Sequence, residues 1–172
     1  MVDVTLLGMA IDKNVQIASK SVVKANPHER VGVFCKMNGH PKVIEYTELP
    51  EKMAEEVDSD GELKYGESHI MCNLYTIDAV EKISNEILMY HSAHKKNSYI
   101  DENGKEVIPT EPNSYKFESF IFDAFEFFDD IAILRGKRED DFAPVKNKEG
   151  VDSLRTAKEL YEKFYAKQAV TK

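Results

Sequence analysis

A lysine near the end of this chain sits where a stiff backbone could aim it at one point. In Arg138-Glu139-Asp140-Asp141-Phe142-Ala143-Pro144-Val145-Lys146-Asn147 a charged run breaks at a Phe-Ala-Pro step and then presents Lys146. Proline fixes its own φ and pushes the residue before it toward extended backbone. An ammonium held this way suits a phosphate oxygen, or the charge that builds on a phosphorus under attack. A charged surface turn is the plainer reading of the same residues. Arg138 is read as structural, pairing with Asp140 or Asp141 to stiffen the loop.

Other candidates are weaker when taken alone. Glu45 alternates with Val43 and points away from Ile44. A carboxylate there could accept two hydroxyl hydrogen bonds from a sugar, although alternation by itself favours a solvent-facing Glu on a half-exposed strand. Gly32 opens an apolar run, where a missing side chain lets a ligand approach the backbone. His69 lies where a polar turn enters an apolar strand, either as a binding residue or as a satisfied polar histidine. Phe122 belongs to a dense aromatic run whose default place is the core. His91 and His94 stand three apart without an evident third ligand, so both are read as structural.

These residues need elements to position them. Residues 4–9 suggest a buried strand or the tail of a loop. Ile11, Val15, Ala18 and Val22 at helical spacing predict a helix over 11–24. Residues 31–37, the Asn38-Gly39 turn and 43–46 predict a hairpin. A short helix over 51–57, a turn over 58–61 and a strand over 70–75 follow. A helix over 78–87 should turn Ala79, Val80, Ile83 and Ile87 inward. A second hairpin spans 98–108, an aromatic helix 117–128 and a strand 131–135. A last helix over 154–167 is capped by Ser153. Interleaved strands and helices with hairpins between them favour an α/β or α+β layer with a mixed sheet.

The 172 residues are 42% hydrophobic and 31% charged, as in a soluble globular protein. The net charge of −8 comes without a basic block, which argues against nucleic acid as a partner. No stretch reaches membrane-spanning length, and no leader is evident. Cys35 and Cys72 are read as buried thiols and the compartment as reducing and cytoplasmic.

Taken together, the motifs resemble the eukaryotic-type UDP-sugar pyrophosphorylases, above all the UDP-N-acetylhexosamine pyrophosphorylases. The opening run is similar to their Arg-acid-acid-acid-Phe-small-Pro-aliphatic-Lys-Asn signature. Ile44-Glu45-Tyr46-Thr47-Glu48 is similar to a recurrent Val-Val-Glu-Tyr-Ser-Glu segment, and Phe120-Ile121-Phe122-Asp123 to a Phe-aliphatic-Phe-Asp segment. The resemblance implies that Lys146 contacts the sugar phosphate and serves as the catalytic cation. It also implies that Glu45 grips sugar hydroxyls, that Gly32 approaches the sugar through its backbone, and that Phe122 borders the pocket for the substituent at sugar carbon 2. Ser68-His69-Ile70 stands where a Gly-Asn-Ile is common, so His69 would take the place of a sugar-contacting Asn, which leaves the choice of sugar open. A His-Xaa-Ala-Xaa-Lys-Lys stretch around His91 is shared, with no metal role to transfer.

The implied fold is the sugar-binding second half of a Rossmann-like (GT-A-like) nucleotidyltransferase domain, with 1–172 as one partial domain. The implied reaction joins UTP and a sugar 1-phosphate into UDP-N-acetylglucosamine, or a related UDP-sugar, and pyrophosphate. The family's upstream glycine-rich loop has no counterpart here. UTP and UDP-sugar binding, and the Mg²⁺ expected of the full-length enzyme, would therefore need an upstream nucleotide-binding half. The chain alone is expected to bind sugar 1-phosphate weakly and not to turn over, with self-association through a severed sheet. A non-catalytic binding or assembly module that keeps the fold is the alternative.

Overall fold

Asp3 starts the first helix, α1 (Val4–Asp12), by accepting from the N–H groups of Thr5 and Leu6 at 3.0 and 3.1 Å. The computed structural model describes residues 3–170. This helix replaces the strand or loop expected over 4–9. A capping carboxylate and a buried Leu6/Ala10 stripe at i, i+4 outweigh the local apolar run. Asn14, at φ 49, ends it, and β1 (Ile17–Val23) follows.

The helix expected over 11–24 is therefore a turn and a central strand. Ile17 packs on one face of the sheet, with Phe34 and Phe125, while Ala18 packs on the other, with Leu6 and Ala10. A strand buried on both faces loses the polar alternation that would announce it.

The hairpin forms as expected. β2 (Val33–Met37) and β3 (His40–Ile44) are joined by Asn38 and Gly39 at φ 53 and 88. Positive φ at both positions gives the turn that matches strand twist. A short helix, α2 (Glu51–Ala54), precedes β4 (Glu67–Tyr75), and α3 (Ile77–Ser84) follows under a Thr76 cap. Ala79 and Ile83 face inward, but Val80 and Ile87 are exposed, because the helix stops at Ser84 and Val80 falls beside the buried i, i+4 pair.

β5 (His91–Lys95) pairs with β8 (Ser114–Glu118), and β6 (Tyr99–Ile100) with β7 (Glu106–Val107). The aromatic run is not one helix. It splits between β8 and a 3₁₀ segment, Ile121–Phe127, separated by an extended Phe120. Three-residue periodicity places Phe122, Phe125 and Phe128 together in the core. β9 (Ala132–Arg135), α4 (Arg138–Asp141) and α5 (Leu154–Val170) complete the chain, with Thr156 N–H donating to Ser153 Oγ at 3.5 Å before α5.

The main sheet is mixed, in the order β3-β2-β4-β1-β9, antiparallel except where β9 runs parallel to β1. β4 bulges opposite β1, with Met71 at φ 58. The neighbouring Cys72 is exposed and Cys35 half-buried, so neither is the fully buried thiol expected. Among the described residues no helix is long and apolar enough to cross a membrane.

Candidate functional site

Glu45 leaves β3 and enters a tight turn. Its carbonyl accepts from the N–H groups of Glu48 and Leu49 at 2.9 and 3.0 Å. The carboxylate leans over Gly32. A Cβ at Gly32 would lie 2.9 Å from Glu45 Oε1 and 2.9 Å from Val43 Cγ1, so only glycine admits this approach. Among the described residues no group donates a hydrogen bond to the Glu45 carboxylate. Burial, and then the charge of Glu48, push its pKa up. A half-buried carboxylate with open acceptor sites can hold hydroxyl donors.

The cleft it faces measures about 230 Å³ and is lined by Glu45, Glu48, His91, Lys95, Glu118 and Phe120 among others. Phe120 stacks on Phe122 with ring centroids 4.8 Å apart. Phe122 itself is 3% exposed, so the wall seen by the cleft is Phe120, with Phe122 behind it.

His69 lies deeper still. Its backbone N–H donates to the Gly32 carbonyl at 2.9 Å, which ties β4 to the glycine. Its ring is enclosed by the edges and faces of Phe34, Phe122 and Phe125. Nε2 lies 3.0 Å from Asn73 Oδ1, which also accepts from Ser19 Oγ at 2.6 Å. An amide oxygen only accepts, so Nε2 carries the proton. Burial pushes the ring's pKa down and keeps it neutral. His69 is thus a core histidine that braces Phe122 from behind, and the expected direct contact with a sugar does not follow from where its ring lies.

Lys146 is positioned by separate machinery. Its N–H and that of Asn147 donate to the Asp152 carbonyl at 2.7 and 2.9 Å, and its Nζ donates to the Arg30 carbonyl at 2.8 Å. Upstream, Arg138 bonds the Val23 carbonyl at 3.1 Å and the Glu29 carboxylate. It therefore does not pair with Asp140 or Asp141, which it was expected to do. Asp141 binds Lys20 and the Lys137 N–H, and Asp140 binds Lys167. Burial opposes the charge on Lys20, but Asp141 and Asp3 outweigh it and hold its pKa up. A Cβ at Gly136 would lie 2.2 Å from Asp141 Oδ2, so this clamp also requires a glycine.

The structure brings Gly32 and Glu45 into contact, with Phe122 one ring behind the same cleft. Lys146 does not line that cleft. Its Nζ meets the carbonyl of Arg30, two residues before Gly32, and Arg30 shares with Tyr46 and Lys24 a second cleft of about 300 Å³. Tyr46 lines both clefts.

Sequence reasoning missed the pairing of His91 with Glu48 and Asp123 at 2.8 Å each. A signal was present: Asp123 is a carboxylate inside an aromatic run, and such a group must find a partner when buried. His94 instead stacks on Tyr115 at 4.4 Å. Among the described residues no three His, Cys, Asp or Glu side chains are arranged to hold a metal ion. The described residues therefore do not fit a Mg²⁺ site.

Residues 1–169 match the family model for UTP–glucose-1-phosphate uridylyltransferase. The UDP-N-acetylhexosamine pyrophosphorylase-like protein 1 of Homo sapiens is 37% identical over 164 residues, which are 92% of this chain and 32% of that protein. The UDP-N-acetylglucosamine pyrophosphorylase of Saccharomyces cerevisiae is 36% identical over 170 residues, 94% of this chain and 36% of that one. A crystal structure of the Trypanosoma brucei uridine diphosphate N-acetylglucosamine pyrophosphorylase with an inhibitor superposes with a TM-score of 0.72 at 33% identity, covering 90% of this chain and 31% of that one. The chain thus spans about a third of the length of these relatives. On a match over nearly its whole length, the chain belongs to the UTP–glucose-1-phosphate uridylyltransferase family of UDP-sugar pyrophosphorylases.

Proposed function

We propose that this chain is the sugar-phosphate-binding part of a uridylyltransferase that makes UDP-N-acetylglucosamine, or a related UDP-sugar, from UTP and sugar 1-phosphate. The observation that carries this reading is the Glu45 carboxylate, half-buried over Gly32 and without a donor among the described residues. Glu45 accepts sugar hydroxyls, and the Gly32 backbone lies against the ring. Phe120, backed by Phe122 and His69, gives an apolar wall for the substituent at carbon 2.

Lys146 exchanges the Arg30 carbonyl for an oxygen of the sugar phosphate. In the reaction a phosphate oxygen of the sugar 1-phosphate forms a bond to the α-phosphorus of UTP. The bond between the α- and β-phosphates breaks, and its electrons leave with pyrophosphate. Lys146 stabilises the charge that gathers there. Binding of UTP, and of any Mg²⁺, is assigned to an upstream nucleotide-binding part.

The test is to titrate N-acetylglucosamine 1-phosphate and glucose 1-phosphate into the chain, its Glu45→Gln variant and its Lys146→Ala variant. A hydrogen bond to a charged group is worth about 1.5–3 kcal/mol, so each variant should lose roughly tenfold or more in affinity. Only the Lys146→Ala loss should vanish when N-acetylglucosamine without phosphate is the ligand. Pyrophosphate release from UTP is expected only when an upstream part is supplied. Unchanged binding by both variants would refute the reading. Binding without turnover in that reconstituted assay would favour a non-catalytic module.

A further inference from the structure

Both ring nitrogens of His91 meet carboxylates. Nδ1 lies 2.8 Å from Glu48 Oε1, and Nε2 lies 2.8 Å from Asp123 Oδ2. An ionised carboxylate only accepts, so both nitrogens donate. Three elements meet in this ring: β5 carries His91, the turn after β3 carries Glu48, and the 3₁₀ segment carries Asp123. The turn is the one that presents Glu45, closed by the Glu48 N–H on the Glu45 carbonyl at 2.9 Å. On the other side Asp123 directly follows Phe122, and the Phe120 ring lies 5.0 Å from the His91 ring.

We propose that His91 is a positioning residue for sugar binding: by donating from both ring nitrogens it locks the Glu45 turn to the Phe120–Phe122 wall and sets the span between the hydroxyl-gripping end and the apolar end of the site. This rests on the reading of the cleft as the sugar site.

The surroundings favour the doubly protonated ring. Glu45, Glu48 and Asp123 face it, Glu118 and Lys95 line the same cleft, and Lys42 lies near Asp123. Burial works against the charge, but Glu48 and Asp123 outweigh it and raise the pKa above its ordinary value of 6.5. The bridge is therefore complete below that value and is lost as pH rises through the raised one. A neutral ring donates from one nitrogen and turns a lone pair toward the other carboxylate.

The experiment follows the His91 ring nitrogens by NMR in the full chain, and titrates N-acetylglucosamine 1-phosphate into wild type and His91→Gln, from about pH 6 to about pH 9. The phosphate of the ligand titrates alike for both proteins, so the ratio of their affinities isolates the ring. The expected result is a ring that titrates above 6.5 and a ratio near tenfold at the acid end, falling toward one as the ring deprotonates. Glu48→Gln, at a half-exposed position, should flatten the profile in the same way if His91→Gln folds poorly. A ring that titrates at or below 6.5, or a ratio that does not change with pH, overturns the positioning role while leaving the sugar site intact. Absence of any binding by wild type removes the sugar site and this inference with it.

Discussion

The Glu45 cleft and the segment that carries Lys146 use the same charged residue types to opposite ends. Around Lys146 the charges are consumed by structure: Arg138 on Glu29, Asp141 on Lys20, Asp140 on Lys167. The ammonium at the end of this scaffold rests on a neutral carbonyl, which a phosphate oxygen could displace. In the cleft, carboxylates gather instead, and one of them, Glu45, is left with open acceptors. The first region fixes the backbone around one cation, and the second leaves one carboxylate with open acceptors. A sugar 1-phosphate has one end of each kind.

The sharpest way to break this contrast is Gly136→Ala. Asp141 cannot withdraw from the new methyl, because Lys20 and the Lys137 N–H hold it. Overpacking typically costs about 1–3 kcal/mol, and denaturant unfolding should place this variant at the upper end. Lys146-dependent affinity should fall while Glu45-dependent affinity survives. Equal losses at both ends would erase the distinction between the two regions.

Gly32→Ala should cost no more than this, about 1–3 kcal/mol, since, although the buried Val43 Cγ1 must also give way, the carboxylate of Glu45 can move aside. That movement should itself lower sugar affinity roughly tenfold, with or without the phosphate, as calorimetry would detect. Asp3→Ala removes an N-cap worth about 1 kcal/mol together with one of the two carboxylates that hold Lys20. Its signature is in the pH dependence. The hydrogen bond from Lys20, then those from the α1 backbone, hold the Asp3 carboxyl below its ordinary 3.8. Its contribution is present above that value and lost as pH falls through the lowered one, so the variant should show a flatter acid limb in thermal melts.

What could be read in the sequence follows from how local each cause is. The Asn38-Gly39 hairpin was legible because positive φ at two adjacent residues is a local demand. The close approach of Glu45 to Gly32 was half legible: alternation gave the face, but only the turn over 45–49 shows the carboxylate leaning inward. β1 was hidden, because its two buried faces belong to two separate cores and the spacing from Ile11 to Val22 imitates a helix. The aromatic run was misjudged in shape, and its default destination, the core, holds for Phe122, Phe125 and Phe128 but not for the exposed Phe117. The His91 bridge left one faint trace, the Asp123 carboxylate inside an aromatic run, which called for a partner without naming it. Its partners lie 43 and 32 residues away, and no local pattern records such a meeting.

The Lys20 ammonium, shared by Asp3 and Asp141, also bears on the order in which the two regions assemble. The β2–β3 hairpin under Glu45 closes a short loop, a step that needs only nearby residues. The anchors of the lysine segment span 121 residues, from Lys20 to Asp141, and 116 residues, from Arg30 to Lys146. Wide loops close late because their entropy must be overcome before their contacts form. The turn that presents Glu45 would then form ahead of the segment that carries Lys146.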